Sequence, residues 1–170
     1  MDITIRQAKN DELPIALSLF EETASKLRAK GINQWQHWLN PMPEYVDWAK
    51  KGFDDGEYFF VEKQGQLAGM FRLMYTDEDY WGQQSAAAAY VHSLVTKIGF
   101  EGQNIGANAL KLIEYDLIKK RIYFLRLDCK ADNEPLCNYY KRQGFVPVRI
   151  QKMPHYSVQL LEKKLDDITS

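Results

Sequence analysis

The stretch of this chain with the most chemical content begins at Tyr90-Val91-His92-Ser93-Leu94-Val95, a strand pattern with Tyr90, His92 and Leu94 on one face. It passes through Phe100-Glu101-Gly102-Gln103-Asn104-Ile105-Gly106-Ala107 into an amphipathic helical pattern. A glycine-bearing strand-to-helix loop gathers backbone N–H groups and the positive end of a helix around one point, an arrangement that binds phosphate or pyrophosphate. Plain loop geometry uses Gly102 and Gly106 equally well, so the glycines alone do not separate the two uses. No Gly-Lys-Ser/Thr follows, which excludes a P-loop, and the Gly-x-Gly-x-x-Gly dinucleotide pattern is absent. His92 has the acid–base class of a general base, against the plainer reading of a strand histidine held by its neighbours. Glu21 and Glu22 on the first helix are alternative bases, or simply solvated carboxylates. His37 and His155 fall in loops, and three histidines without ligand spacing lead to no expectation of a metal.

A second constellation is Asp132-Asn133-Glu134-Pro135-Leu136-Cys137-Asn138-Tyr139-Tyr140-Lys141-Arg142-Gln143-Gly144-Phe145. Asn133 is placed to cap a helix with Pro135 in its first turn and Gly144 after its end. Cys129 at a strand end reads as a buried thiol, and Cys137, early in the helix, as one with some thiolate character. Two cysteines are too few for a disulfide scaffold or a cysteine-only zinc site.

Around these segments the pattern predicts a strand over Thr4–Ala8 and a helix from Asn10 to Gly31, with Leu13, Leu17, Phe20, Ala24 and Leu27 as its apolar stripe. A tryptophan-bearing loop (31–38) and a helix over Pro43–Lys51 follow. A hairpin (Tyr58–Glu62, Leu67–Tyr75), a strand (Ala88–Val95), a helix (Gly106–Lys120) and a strand (Ile122–Cys129) come next. A helix (Asn133–Gln143) and two strands (Val146–Ile150, Tyr156–Leu161) complete the chain. The order β-α-α-β-β-β-α-β-α-β-β predicts an α/β protein, a mixed sheet with helices packed on it. With 170 residues and no linker or repeat, residues 1–170 are expected to form a single domain. The composition is 45% hydrophobic and 26% charged, which fits a globular core and argues against disorder. Twenty-two Lys and Arg against 23 Asp and Glu leave a net charge of −1, which disfavours a nucleic-acid partner. No apolar run approaches the roughly 18 residues of a membrane span, and the N-terminus does not read as a signal peptide. A soluble, cytoplasmic protein is expected.

Leu94-Val95 before the loop, Gly102-x-x-x-Gly106 opening a helix, and Asn133 with Tyr140-x-x-x-Gly144-Phe145 together resemble the GCN5-related N-acetyltransferase (GNAT) superfamily. The element order is also that family's, so the resemblance covers nearly the whole chain. It implies a central, mostly antiparallel mixed sheet flanked by helices, with acetyl-CoA in a gap between the fourth and fifth strands. It implies that amides of Gly102, Gln103, Asn104, Ile105, Gly106 and Ala107 hold the pyrophosphate, and that the backbone of Leu94 and Val95 pairs with the thioester carbonyl and pantetheine amides. Asn133 would bind the pantetheine arm, and Tyr140 would protonate the leaving thiolate as general acid. The family's loop usually carries Gln or Arg where Glu101 stands and glycine where Asn104 stands; Asn tolerates the left-handed conformation. On the acceptor side the resemblance points to His92 as base and to Trp35, Tyr80 and Trp81 as an aromatic wall for a small-molecule amine. The last strands offer an edge for a homodimer. A non-catalytic acyl-CoA-binding or sensing domain is the alternative.

Overall fold

The computed structural model describes residues 2–166. Its strands are β1 (Ile3–Gln7), β2 (Tyr58–Lys63), β3 (Gln66–Met74), β4 (Ala89–Thr96), β5 (Phe124–Lys130), β6 (Val146–Lys152) and β7 (Ser157–Lys164). They form one mixed sheet in the order β1-β2-β3-β4-β5-β7-β6. Among the described pairings β4–β5 is parallel, while β1–β2, β2–β3, β5–β7 and β6–β7 are antiparallel. The helices are α1 (Leu13–Ala29), α2 (Pro43–Asp54), α3 (Glu78–Trp81), α4 (Ile105–Lys119) and α5 (Glu134–Arg142). This is the mixed α/β architecture the hydrophobic periods predict. Two short elements differ: a 3-10 turn over Gln36–Leu39 lies in the stretch read as a loop, and α3 follows β3. Among the described residues no helix is long and apolar enough to cross a membrane.

The chain divides into two compact units, one running to Arg72 and including Ser93–Ala109, the other formed by Leu73–His92 and the chain from Leu110. In the first, α1 buries Ala16, Leu19, Phe20 and Ala24. The buried stripe is therefore rotated from the predicted one, with Leu13 and Leu17 packing at its margin. Phe20 stacks on Trp38 at 4.1 Å and meets Trp35 edge-on at 5.7 Å. Stacked and edge-to-face rings gain a favourable quadrupole term beyond the area they bury. Gly31, at φ 70°, lets the Ile32 N–H turn back to the Leu27 carbonyl at 2.9 Å and close the helix end.

In the second unit Trp81, Ala88, Tyr90, Val158 and Leu160 form a core cluster. Arg126 is buried there without being left unpaired: Nε donates to Glu162 at 2.7 Å, Nη1 donates to the Tyr90 hydroxyl at 2.9 Å, and the guanidinium lies 4.8 Å from the Trp81 ring. Those partners offset a desolvation cost that would otherwise expel the charge. The parallel register pairs Tyr90 with Arg126 and Val91 with Leu127. Because side chains alternate along a strand, the next positions, His92 and Asp128, return to the Tyr90–Arg126 face. Ser93 is left-handed at φ 55°, which interrupts that alternation directly after His92.

Candidate functional site

In the first unit the segment from β4 into α4 turns left-handed at Gly99 (φ 95°), Gly102 (φ 72°) and Asn104 (φ 57°). Asn104 thus takes the conformation expected of a glycine at its position. Left-handed residues in a run of turns aim backbone amides to one side as an anion-binding concavity. The first-turn amides of α4, at Ile105, Gly106 and Ala107, have no acceptor within their own helix. Gln103 differs from its neighbours: its N–H donates to the Phe100 carbonyl at 3.4 Å, and its side chain joins Lys63 (2.7 Å) and the Gly99 carbonyl (3.2 Å). Glu101 turns its carboxylate toward Lys26 Nζ at 2.8 Å and the Gly99 N–H at 2.7 Å. The Lys26 ammonium, followed by backbone amides, holds that carboxyl down at about 2. Its charge is therefore matched by a cation of α1. Upstream, Val95 is buried and Leu94 half-buried. Gly69 of β3 lies so close to the Val95 carbonyl oxygen that a Cβ there would collide with it.

The second unit holds a cluster of acid–base groups. His92 Nε2 is 2.8 Å from Asp77 Oδ2, and His92 Nδ1 is 3.6 Å from Asp128 Oδ2. The three side chains are 13%, 5% and 15% exposed respectively, so the site is sheltered and still open to a small reactant. Asp77 arrives from the residue before α3, His92 from β4 and Asp128 from β5. An ionised carboxylate only accepts hydrogen bonds, so in the tautomer with hydrogen on Nε2 the ring donates to Asp77 and keeps Nδ1, on the Asp128 side, as the basic nitrogen. Burial pushes the Asp128 carboxyl up to about 6; His92 opposes that rise, and the neighbouring Asp77 carboxylate adds a smaller push upward. The oxygens and nitrogens of the three lie within 4.8 Å of one another, within reach of a common cation. The two ring nitrogens face separate carboxylates, an arrangement that also suits a proton relay. Tyr80 stands beside His92 with ring centroids 5.6 Å apart, and its hydroxyl meets that of Tyr156 at 2.8 Å. A cavity of 280 Å³ borders Asp77, Glu78, Gln83, Gln84, Tyr75 and Tyr90.

Sequence reasoning singled out His92 and missed both carboxylates. Asp128 carried a signal, a lone acid in the apolar strand Phe124-Leu125-Arg126-Leu127-Asp128-Cys129. Asp77 carried none, because its role depends on α3 delivering it to β4. Of the remaining candidates, Trp81 is 3% exposed and packs in the core. Trp35 is half-buried against Phe20. Glu21 lines a separate cavity of 330 Å³ with Trp38 and Leu39, and Glu22 accepts from the Ile98 N–H at 3.3 Å. His37 lies between Trp38 and Tyr45, where burial lowers its pKa, and His155 is exposed. Asn133 caps α5 as predicted, its Oδ1 accepting from the Leu136 N–H at 3.2 Å. Tyr140 is 7% exposed between Tyr139 and Phe145, and burial raises its pKa well above the ordinary phenol range.

Residues 20–145 match the acetyltransferase (GNAT) family. The chain is 30% identical over 132 residues to a protein described as the uncharacterized N-acetyltransferase YesJ of Bacillus subtilis (strain 168), covering 75% of this chain and 72% of that one. A crystal structure of a GNAT-family acetyltransferase from Listeria monocytogenes 4b F2365 superposes with a TM-score of 0.76 at 26% identity, covering 96% of this chain and 95% of the other. The PaiA N-acetyltransferase of Thermoplasma acidophilum, solved in complex with coenzyme A, has the same fold, with a TM-score of 0.61, 18% identity and coverage of 96% and 99%. With three-quarters of its length matched in sequence and nearly all of it in fold, this chain belongs to the GNAT family of acetyltransferases.

Proposed function

We propose that the protein is an acetyl-CoA-dependent N-acetyltransferase that transfers acetyl directly from the thioester to a primary amine of a small molecule. Acetyl-CoA supplies an activated acyl group. The residues present suit such a cosubstrate: the amides of Gly102, Asn104, Ile105, Gly106 and Ala107 hold its pyrophosphate, and Lys26 offsets the charge of Glu101. The backbone of Leu94 and Val95 pairs with the acyl and pantetheine groups, and Asn133 binds the pantetheine arm from the cap of α5. The Thermoplasma acetyltransferase of the same fold was solved with coenzyme A, which supports acetyl-CoA as the cosubstrate.

The observation that carries the reading is His92 set between Asp77 and Asp128. A primary amine is mostly protonated near neutrality and attacks only after losing that proton. His92 Nδ1 takes it, with Asp128 next in line, while Asp77 keeps the ring oriented. Tyr140 is the general acid: burial keeps its phenol protonated and able to donate to the leaving sulfur. The carboxylates and amides beside the 280 Å³ cavity suit a cationic, compact acceptor, and Tyr80, beside His92, offers aromatic surface for it. Trp81 supports Tyr80 from the core. We place this activity in the cytoplasm and include in the proposal a homodimer through β6.

Free-thiol release with a panel of amines tests the proposal. At least one amine is expected to turn over, with His92→Gln and Tyr140→Phe each lowering kcat by roughly 10²–10⁴-fold. Both variants should keep the thermal stabilisation that acetyl-CoA confers. Stabilisation by acetyl-CoA with no thiol release from any amine would replace the enzyme with an acyl-CoA sensor.

A further inference from the structure

Two thiols that the proposed chemistry does not use face each other in the second unit. Cys129 on β5 and Cys137 on α5 are free and buried, with their sulfurs 2.6 Å apart. A disulfide places them about 2.05 Å apart, so roughly half an ångström separates contact from bond. Cys137 is the more accessible, 7% exposed against 2%, and its thiol reaches toward the Lys130 carbonyl oxygen at 3.8 Å. The segment between the two sulfurs contains Asn133, whose N–H is already tied to Lys130 O at 2.9 Å, so the backbone holds the two sides in register.

We propose that Cys129 and Cys137 are an oxidation site, closed to an intramolecular disulfide by a hydroperoxide. Cys137 sulfur, as its thiolate, attacks the peroxide; the O–O bond breaks, one oxygen stays as a sulfenic acid, and the other leaves as water after taking a proton. Cys129 sulfur then displaces that oxygen, the S–S bond forms as S–O breaks, and a second water carries away the last proton. Two thiols lose two electrons and two protons, and hydrogen peroxide becomes two waters. Burial raises the Cys129 thiol pKa, and this keeps it the resolving and not the attacking sulfur. The bond ties the start of α5 to β5.

The test uses the reduced full chain, hydrogen peroxide, and N-ethylmaleimide labelling under denaturing conditions read by intact mass. Reduced protein is expected to take two labels. Oxidised protein should take none, weigh two hydrogens less, run as a single chain on a non-reducing gel and regain both labels after dithiothreitol. Its Tm should rise by about 5–10 °C, as a cross-link in the native fold requires. Two persistent labels, oxygen addition without loss of hydrogen, disulfide-linked chains or a fall in Tm would each overturn the proposal. The labelling needs no variant; Cys129→Ser or Cys137→Ser, if folded, should abolish the loss of both labels.

Discussion

At pH 8 Asp128 carries a charge that its surroundings oppose. Its carboxyl ionises at about 6 in the folded protein against an ordinary value near 3.8, mainly because burial strips water from the charged form. Between those two values the folded chain keeps a proton that the unfolded chain has released. Stability from this group therefore falls as pH rises through the window, and above pH 6 the whole cost is present. Two pKa units correspond to about 3 kcal/mol at most. Asp128→Asn removes the cost, so urea unfolding should show the variant more stable than the parent at pH 8 by ~1–3 kcal/mol and about equal to it below pH 4. A gain of the same size at both pH values would refute the linkage. The same variant should turn over more slowly, because the group that costs stability is the one proposed to receive the proton from His92.

The elements were largely legible in the sequence, and the way they combine was not. Helical and alternating periods, with the Asn133 cap and the glycines after α1 and α5, fix most segments of regular structure. The misses have physical causes: α3 is a single turn, too short to display a period, and Ser93 adopts a left-handed conformation that its residue type does not announce. The proposed base cluster joins three segments through the β4–β5 register, which hydropathy does not encode. The loop from Gly102 to Ala107 is different, because the chemistry proposed for it comes from consecutive amides, which spacing can display. One element-level dependence is sharp. On β3 a side chain at Gly69 would collide with the Val95 carbonyl and also touch Ile105 at the head of α4. Gly69→Ala should lower stability by ~1–3 kcal/mol through overpacking. It should also shrink the thermal stabilisation by acetyl-CoA, since it displaces the backbone assigned to that ligand. Parental stability together with a parental ligand shift would show that β4 does not need this close approach.

For the molecule as a whole, the open question is what meets the end of the sheet. β6 is last in the strand order, so one side of its backbone has no strand partner among the described residues. Val146, Val148 and Ile150 along it are all exposed, and the register shift between Pro147 and Arg149 puts Val146 and Ile150 on opposite faces. The strand also carries Arg149 and Lys152, and such charges, like a proline and a bulge, discourage strand addition, so a pairing would rest on its exposed apolar side chains. Pro147 and the register shift between Pro147 and Arg149 fit an edge strand, where a missing N–H and a bulge are tolerated. Pairing with β6 of a second copy would satisfy the remaining backbone groups and cover part of this apolar surface. Light scattering at micromolar concentration should therefore give the mass of two 19.8 kDa chains. Ile150→Lys should return a single chain, because burying an ammonium in the shared edge costs more than the lost contact gains. Mass action adds an independent readout: the parental Tm should rise with protein concentration and the variant's should not. A parental protein that scatters as one chain, with a concentration-independent Tm, would leave β6 as a solvent edge.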